Sequence, residues 1–320
     1  MSFIRKLVAA AALASTALSA SAFSGITIFG DSLSDTGNVY AATGFTFPPP
    51  PYFFGRFSNG PVWVETLAGG LGYGAQSTAS FLGGNNYAFG GARMNSGSPV
   101  PGVLQQMGGL WAPSHPFANP NELYVVVGGG NDMRDARTAF QTSSNADQMG
   151  RQAAAQQAAG NLIGSLGFLA SRGAKEILIS NLPDLGTSIE AINLGLQYSS
   201  TDVTQRFNGL MGSVLAAGAS FGLHMHFLDM NGVLQAVRND ALNNGGAVYG
   251  ITNLTTPCGG FAGSIGISCD ISGFSDELHP SARAHRIIGM AALNAVPEPE
   301  TYALMALGLG LLALRARRRA

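Results

Sequence analysis

Apolar positions along the chain fall into two kinds of pattern. Strand-like runs occur at 25–29, 123–128 (Leu-Tyr-Val-Val-Val-Gly), 176–180 (Glu-Ile-Leu-Ile-Ser) and 223–228 (Leu-His-Met-His-Phe-Leu). Continuous Val/Ile/Leu runs of this length suit strands buried on both faces of a parallel sheet. Helical stretches fall between them. Asp147 to Ser171 is rich in Ala and Gln and ends at Gly173, Asp202 to Ala217 precedes the 223–228 run, and residues 281–295 predict a closing helix. Strand and helix in alternation predict an α/β fold, a doubly wound parallel sheet in one domain. The segment 41–84 breaks the rhythm: it carries Pro48 to Pro51 and the aromatics Phe45, Phe47, Tyr52, Phe53, Phe54, Phe57 and Trp63. An irregular excursion of this length is either a lid over a site or a packing elaboration.

Both ends read as addresses. Arg5 and Lys6, a small apolar stretch from Leu7 to Leu18, and Ala20-Ser21-Ala22 spell a secretory signal peptide over residues 1–22, with a mature start at Phe23. At the far end Val296-Pro-Glu-Pro-Glu300 precedes an apolar run from Tyr302 to Leu314 and then Arg315, Arg317, Arg318 and Arg319. That run is shorter than the ~20 residues that cross a bilayer comfortably, while the arginines supply a positive-inside anchor. The three features in this order resemble the PEP-CTERM sorting signal of Gram-negative bacteria that make exopolysaccharide. The resemblance implies transient anchoring of residues 296–320 in the inner membrane, removal by an exosortase-type enzyme and delivery to the cell surface or matrix.

Charge and cysteine content narrow the partners. Charged residues make up 11% of the 320, the formal net charge is -1, and no basic stretch lies inside the body of the chain, so nucleic acid is excluded as a partner. The two cysteines, Cys258 and Cys269, form an even pair at short separation, which in an exported chain predicts a disulfide.

In open parallel sheets, ligand sites form beyond the carboxyl ends of the strands. The polar residues found there are Asp31-Ser32 after the first run and Gly129-Gly130-Asn131-Asp132 after the second, with Asn86 to Ala92 between them and Asp276-Glu-Leu-His279-Pro280 before the closing helix. These residue types fit nucleophilic catalysis. Ser32 supplies a hydroxyl, His279 a base whose ordinary pKa allows both protonation states near neutrality, and Asp276, three residues away, an acceptor to orient it. Ser32 N–H, Gly91 N–H and the Asn131 amide are candidate oxyanion donors, with Gly90 the alternative to Gly91.

At these residues the chain resembles the GDSL, or SGNH, hydrolase family. The match covers Gly30 to Asn38, Asn86 to Ala92, Gly129 to Asp132 and Asp276 to Pro280 in order, and extends to 55–65, 181–186 and 249–258, spanning roughly residues 25–295. The resemblance implies a three-layer α/β/α sandwich of flavodoxin-like type over residues 23–295, with five parallel strands and Ser32 at the end of the first. It also implies a Ser32/His279/Asp276 triad that cleaves carboxylic esters without a cofactor. The aromatic-rich 41–65 excursion favours an acyl lipid as substrate, and export toward an exopolysaccharide matrix favours an acetylated glycan. A matrix protein that kept the fold without the chemistry is the alternative of another class.

Other polar residues predict structural roles. Asp35 reads as a helix cap or loop tie, and Asp276 also suits an N-cap. His224 and His226 share a strand face and read as core packing rather than a metal pair, and His115 and His285 carry no role. Gly218-Ala-Ser220-Phe-Gly222 spells G-x-S-x-G, but a helix precedes Ser220 and a strand follows, the reverse of a nucleophile elbow, so it reads as a helix-ending turn.

Overall fold

A computed structural model describes residues 23–95, 100–258 and 267–296. The signal-peptide and sorting-signal readings lie outside the described residues, apart from Val296.

Four parallel strands form the sheet in the order β1 (Ile26–Phe29), β2 (Leu123–Val126), β3 (Glu176–Ser180) and β4 (His224–Leu228). The register aligns Ile28 with Val125, Val125 with Leu178 and Leu178 with His226. The fifth strand implied by the resemblance is reduced to a short extended segment. Residues 85–89 run alongside the free edge of β1, with Ile28 N–H donating to Asn85 O at 3.0 Å, Tyr87 N–H to Ile28 O at 2.7 Å and Phe89 N–H to Gly30 O at 3.1 Å.

The helices of the described residues include α1 (Asn38–Ala42), α2 (Trp63–Gly70), α3 (Gly130–Ala139), α4 (Asn145–Ser171), α5 (Gln197–Asn208), α6 (Met211–Ser220), α7 (Met230–Asn243) and α8 (Ala282–Ala295). Alternate strand residues enter two separate cores, because successive side chains point to opposite faces of a sheet. Phe29, Tyr124, Val126, Ile177 and Ile179 meet α3 to α6 on one side, while Ile26, Ile28, Val125 and Leu178 meet α2, α7 and α8 on the other. This is the three-layer α/β/α sandwich.

Three expectations need correction. The excursion at 41–84 contains α2, whose Trp63, Val64, Leu67 and Ala68 are buried and whose Glu65 folds back to accept the Val62 N–H at 2.8 Å. The single helix expected over Asp202 to Ala217 is two, α5 and α6, divided at Gly209–Leu210. His224 and His226 are not core packing: they flank the carboxylate of Glu176 on the neighbouring strand, with Nδ1 and Nε2 at 2.8 and 2.9 Å from its two oxygens, and His224 is largely exposed. β4 is an edge strand of the described sheet and is only partly covered along its length. Among the described residues, no cluster of three or more His, Cys, Asp or Glu is placed to hold a metal ion.

Candidate active site

The first strand delivers the chain into a tight turn. Gly30 is clamped by the buried Gln106, whose Oε1 takes the Gly30 N–H at 2.9 Å while its Nε2 donates to the Gly30 carbonyl at 2.8 Å. A β-carbon at Gly30 would lie 2.9 Å from the Val127 carbonyl, so only glycine lets β1 pass this close to the end of β2. The Asp31 carbonyl then accepts the N–H groups of Ser34 and Asp35, both at 3.0 Å, and the turn presents Ser32 at the carboxyl end of the sheet.

The last turn before α8 brings the imidazole to it. His279 Nε2 stands 2.9 Å from Ser32 Oγ, and His279 Nδ1 stands 2.7 Å from Asp276 Oδ2. The other Asp276 oxygen accepts the N–H groups of Leu278 at 2.7 Å and His279 at 2.6 Å, folding the 276–279 segment into the turn that aims the ring. Asp276 is not the helix cap. Ser281 takes that part, accepting the Ala284 N–H at 3.2 Å.

Burial works to raise the Asp276 carboxyl, but the charge and hydrogen bonds of His279, with a bond from Tyr52, outweigh it and hold the group well below the ordinary carboxylate range. Asp276 is therefore ionised wherever His279 can accept a proton. Asp31 and Asp35 go the other way: burial pushes each up to about 6 against the pull of their backbone N–H donors.

The two glycines of the Asn86 to Ala92 block are distinguished by their bonds. Gly90 N–H is donated to Asp35 Oδ2 at 2.8 Å, whereas Gly91, held at a φ of +84°, directs its N–H to none of the described residues. Asn131 sits at the start of α3, where one amide N–H is spent on the Ala92 carbonyl at 2.9 Å and the other stays available. Ser32, Asn131 and His279 line one end of a cleft enclosing about 930 Å³, open solvent at its mouth included, with Leu185, Leu234 and Leu278 along its wall. Gly91 lies outside that lining, joined to it through its neighbour Ala92.

The family model described as GDSL-like Lipase/Acylhydrolase matches residues 26–292, and the PEP-CTERM protein-sorting motif matches residues 295–319. The chain belongs to the GDSL-like lipase/acylhydrolase family. A phosphatidylcholine-sterol acyltransferase of Aeromonas hydrophila is 31% identical over 207 residues, covering 59% of this chain and 53% of the relative. Esterase EstA of Pseudomonas aeruginosa is 28% identical over 354 aligned positions, covering 94% of this chain and 52% of the relative. The chain thus spans about half the length of these curated relatives. The solved extracellular lipase from Streptomyces rimosus superposes with a TM-score of 0.47 at 14% identity, over 85% of this chain and 99% of that one.

Within this GDSL-family chain, sequence reasoning missed several residues around the site. Tyr52 OH donates to Asp276 Oδ2 at 2.6 Å, and the Phe57 ring lies 5.4 Å from the His279 ring, so the Pro-rich excursion touches Asp276 and His279 from the side. Tyr52 was visible only as the one hydroxyl in the run Tyr52-Phe53-Phe54. Gln106 gave no signal, since it acts on backbone atoms alone. Asp35 behaves as expected of a loop tie, accepting Gly37 N–H at 2.8 Å and Asn38 N–H at 2.7 Å. Ser220 also sits as expected, at the end of α6 with its hydroxyl returned to the Ala217 carbonyl at 2.7 Å.

Cys258 and Cys269 are joined in a disulfide.

Proposed function

We propose that the protein is an exported serine hydrolase that cleaves carboxylic esters through an acyl-enzyme. The observation that carries this reading is the unbroken hydrogen-bonded line from Ser32 Oγ through His279 to Asp276. In the first half-reaction Ser32 Oγ attacks the ester carbonyl carbon while its proton passes to His279 Nε2. Asp276, kept ionised, accepts the Nδ1–H and stabilises the imidazolium. The tetrahedral oxyanion is met by Ser32 N–H, Gly91 N–H and the free amide hydrogen of Asn131, each donor of this kind contributing ~3 kcal/mol in the transition state. Collapse breaks the bond to the leaving oxygen, which takes the His279 proton and departs as alcohol. Water, deprotonated by His279, then attacks the acyl-serine carbonyl, and the proton returns to Ser32 Oγ as the acid leaves.

A long acyl chain suits the cleft better than an acetyl group does. Five leucines, Leu33, Leu185, Leu234, Leu254 and Leu278, line the cleft among polar residues such as Arg134, Asp184 and Arg238, and the excursion that reaches Asp276 and His279 exposes Phe45, Phe47 and Phe54, which favours a lipid ester. Deacetylation of exopolysaccharide is the second reading, favoured by the sorting-motif match at residues 295–319. That match also supports export from a Gram-negative cell, with an exosortase-type enzyme removing the tail after a transient stay in the inner membrane.

Labelling with a fluorophosphonate probe tests the reaction type. The wild-type chain and Ser220→Ala are expected to label, and Ser32→Ala to lose both labelling and at least about 10⁴-fold of its ester hydrolysis. Labelling that survives in Ser32→Ala would overturn the assignment. Turnover of short- and long-chain nitrophenyl esters, set beside release of acetate from acetylated polysaccharide, separates the two substrate classes.

A further inference from the structure

Tyr52 and Asp276 are 224 positions apart in the chain, yet the phenol donates to the carboxylate at 2.6 Å. The oxygen it meets is Oδ2, the one that also takes His279 Nδ1 at 2.7 Å, while Oδ1 is occupied by the N–H groups of Leu278 and His279. Among the described residues, the other bonds to the Asp276 carboxylate come from its own four-residue turn, and Tyr52 alone ties it to a different part of the fold. Its ring is fixed in turn: it meets the Phe57 ring edge-on at 6.0 Å, and Phe57 lies 5.4 Å from the His279 ring.

We infer that Tyr52 is a positioning residue for the ester-hydrolysing relay, its phenol holding the Asp276 carboxylate in place and withdrawing electron density from the oxygen that orients His279. The inference rests on the reaction proposed above and deepens it. Two donors on one oxygen share its charge, so the carboxylate stabilises the imidazolium less than it would with His279 alone. Without the phenol, Asp276 binds the imidazolium more tightly and is freer to turn about its side-chain bonds. The imidazolium is then held more firmly and passes its proton on less readily. Burial and the bond to Asp276 keep the Tyr52 phenol protonated far above its ordinary range, so it acts as a donor throughout the working pH window. Asp31 beyond β1 and His285 on α8 also interact electrostatically with His279.

The test compares the full chain with Tyr52→Phe, which keeps the ring and removes only the hydroxyl. Nitrogen-15 NMR of the imidazole follows His279 directly, with His279→Gln assigning its signal. In Tyr52→Phe the His279 midpoint is expected to rise by about half a pH unit. On a soluble nitrophenyl ester, kcat is expected to fall about three- to tenfold with KM within about twofold, and the acid limb of the kcat/KM profile to move up with the NMR midpoint. Placing 3-fluorotyrosine at position 52 makes the phenol a stronger donor and is expected to move the midpoint the opposite way. A midpoint that stays put in both variants, or a loss confined to KM, would overturn the role. The NMR readout needs no turnover, so a shifted His279 in a chain that hydrolyses no ester supports the coupling and overturns only the reaction it was assigned to serve.

Discussion

Gly90 N–H points at Asp35 Oδ2 from 2.8 Å, and Asp35 is fully buried. The same carboxylate takes the N–H groups of Gly37, Asn38 and Val39 at 2.7–3.3 Å, so one side chain holds the start of α1 against the loop that follows the 85–89 segment. The loop carrying Ser32 and the loop carrying Gly91 are thereby fixed to each other. Gly90 N–H is committed to this bond, whereas Gly91 N–H, the proposed oxyanion donor, is bound to none of the described residues.

Asp35→Asn tests this tie. An amide has only one acceptor oxygen, so its NH₂ would be turned against backbone N–H groups on one side, and at least one buried donor would lose its partner. The expected outcome is a loss of about 2 kcal/mol in urea unfolding and a fall in kcat of about tenfold, with fluorophosphonate labelling slowed rather than abolished. A variant as stable and active as the wild type would show that the two loops do not depend on this carboxylate.

Much of this arrangement was legible in the chain, and the failures have physical causes. β1, β2 and β3 stood out because both faces of each are buried, which forces apolar residues at successive positions. Ser32 stood out because it follows the β1 run, and Asp276 and His279 because they stand just before the closing helix. The division at Gly209 did not: Val203, Phe207, Met211 and Val214 are all buried and keep a helical spacing straight through the break, so the pattern reads as one helix. α2 was lost inside the aromatic excursion, since eight residues ending in Gly69-Gly70 offer barely two turns of periodicity. The 85–89 segment bonds to β1 on one side, and Asn86 points its amide inward to the Ser34 carbonyl and Thr36 hydroxyl, breaking the apolar run expected of a buried strand. Tyr52 meets Asp276 only through tertiary folding, a kind of contact that no local pattern encodes.

His285 makes the stability of the protein acid-sensitive. It is fully buried on α8, its Nδ1 accepts the Trp63 N–H at 3.3 Å, and its Nε2 has no partner among the described residues. Burial, with the charge of His279, pushes its pKa down from 6.5 to about 3. The folded chain therefore keeps this ring neutral while the unfolded chain protonates it below about 6.5, so its contribution is complete above that pH and is lost as the pH falls from 6.5 towards 3. Asp31 and Asp35, raised from 3.8 to about 6, work in the opposite sense, adding stability as the pH falls through that interval. A difference between variants isolates the histidine. His285→Asn keeps an acceptor for Trp63 N–H and cannot titrate, so it is expected to be less stable than the wild type at pH 7.5 and to close the gap by a few kcal/mol, at most, on acidification. Urea titrations of both chains across that range check it, and parallel curves would count against the assignment.

The disulfide between Cys258 and Cys269 acts on the site through a short path. The Cys258 N–H donates to the Ser275 carbonyl at 3.2 Å, Ser275 N–H donates to the His279 carbonyl at 2.9 Å, and Asp276 follows directly. Closing a loop with a sequence separation of 11 stabilises the fold by about 2–3 kcal/mol, chiefly by restricting the unfolded chain. The Cys258→Ala/Cys269→Ala double variant is therefore expected to lose about that much in urea unfolding. Because the bridge also steadies the residue before Asp276, kcat should fall a few-fold while the affinity for a small ester stays nearly constant. Reducing agent applied to the wild type should reproduce both changes and leave the double variant untouched. If reduction lowers stability but kcat holds, the bridge serves the fold alone, and the 275–279 turn is held by the Ser275 hydroxyl, which donates to the Pro280 carbonyl at 2.7 Å.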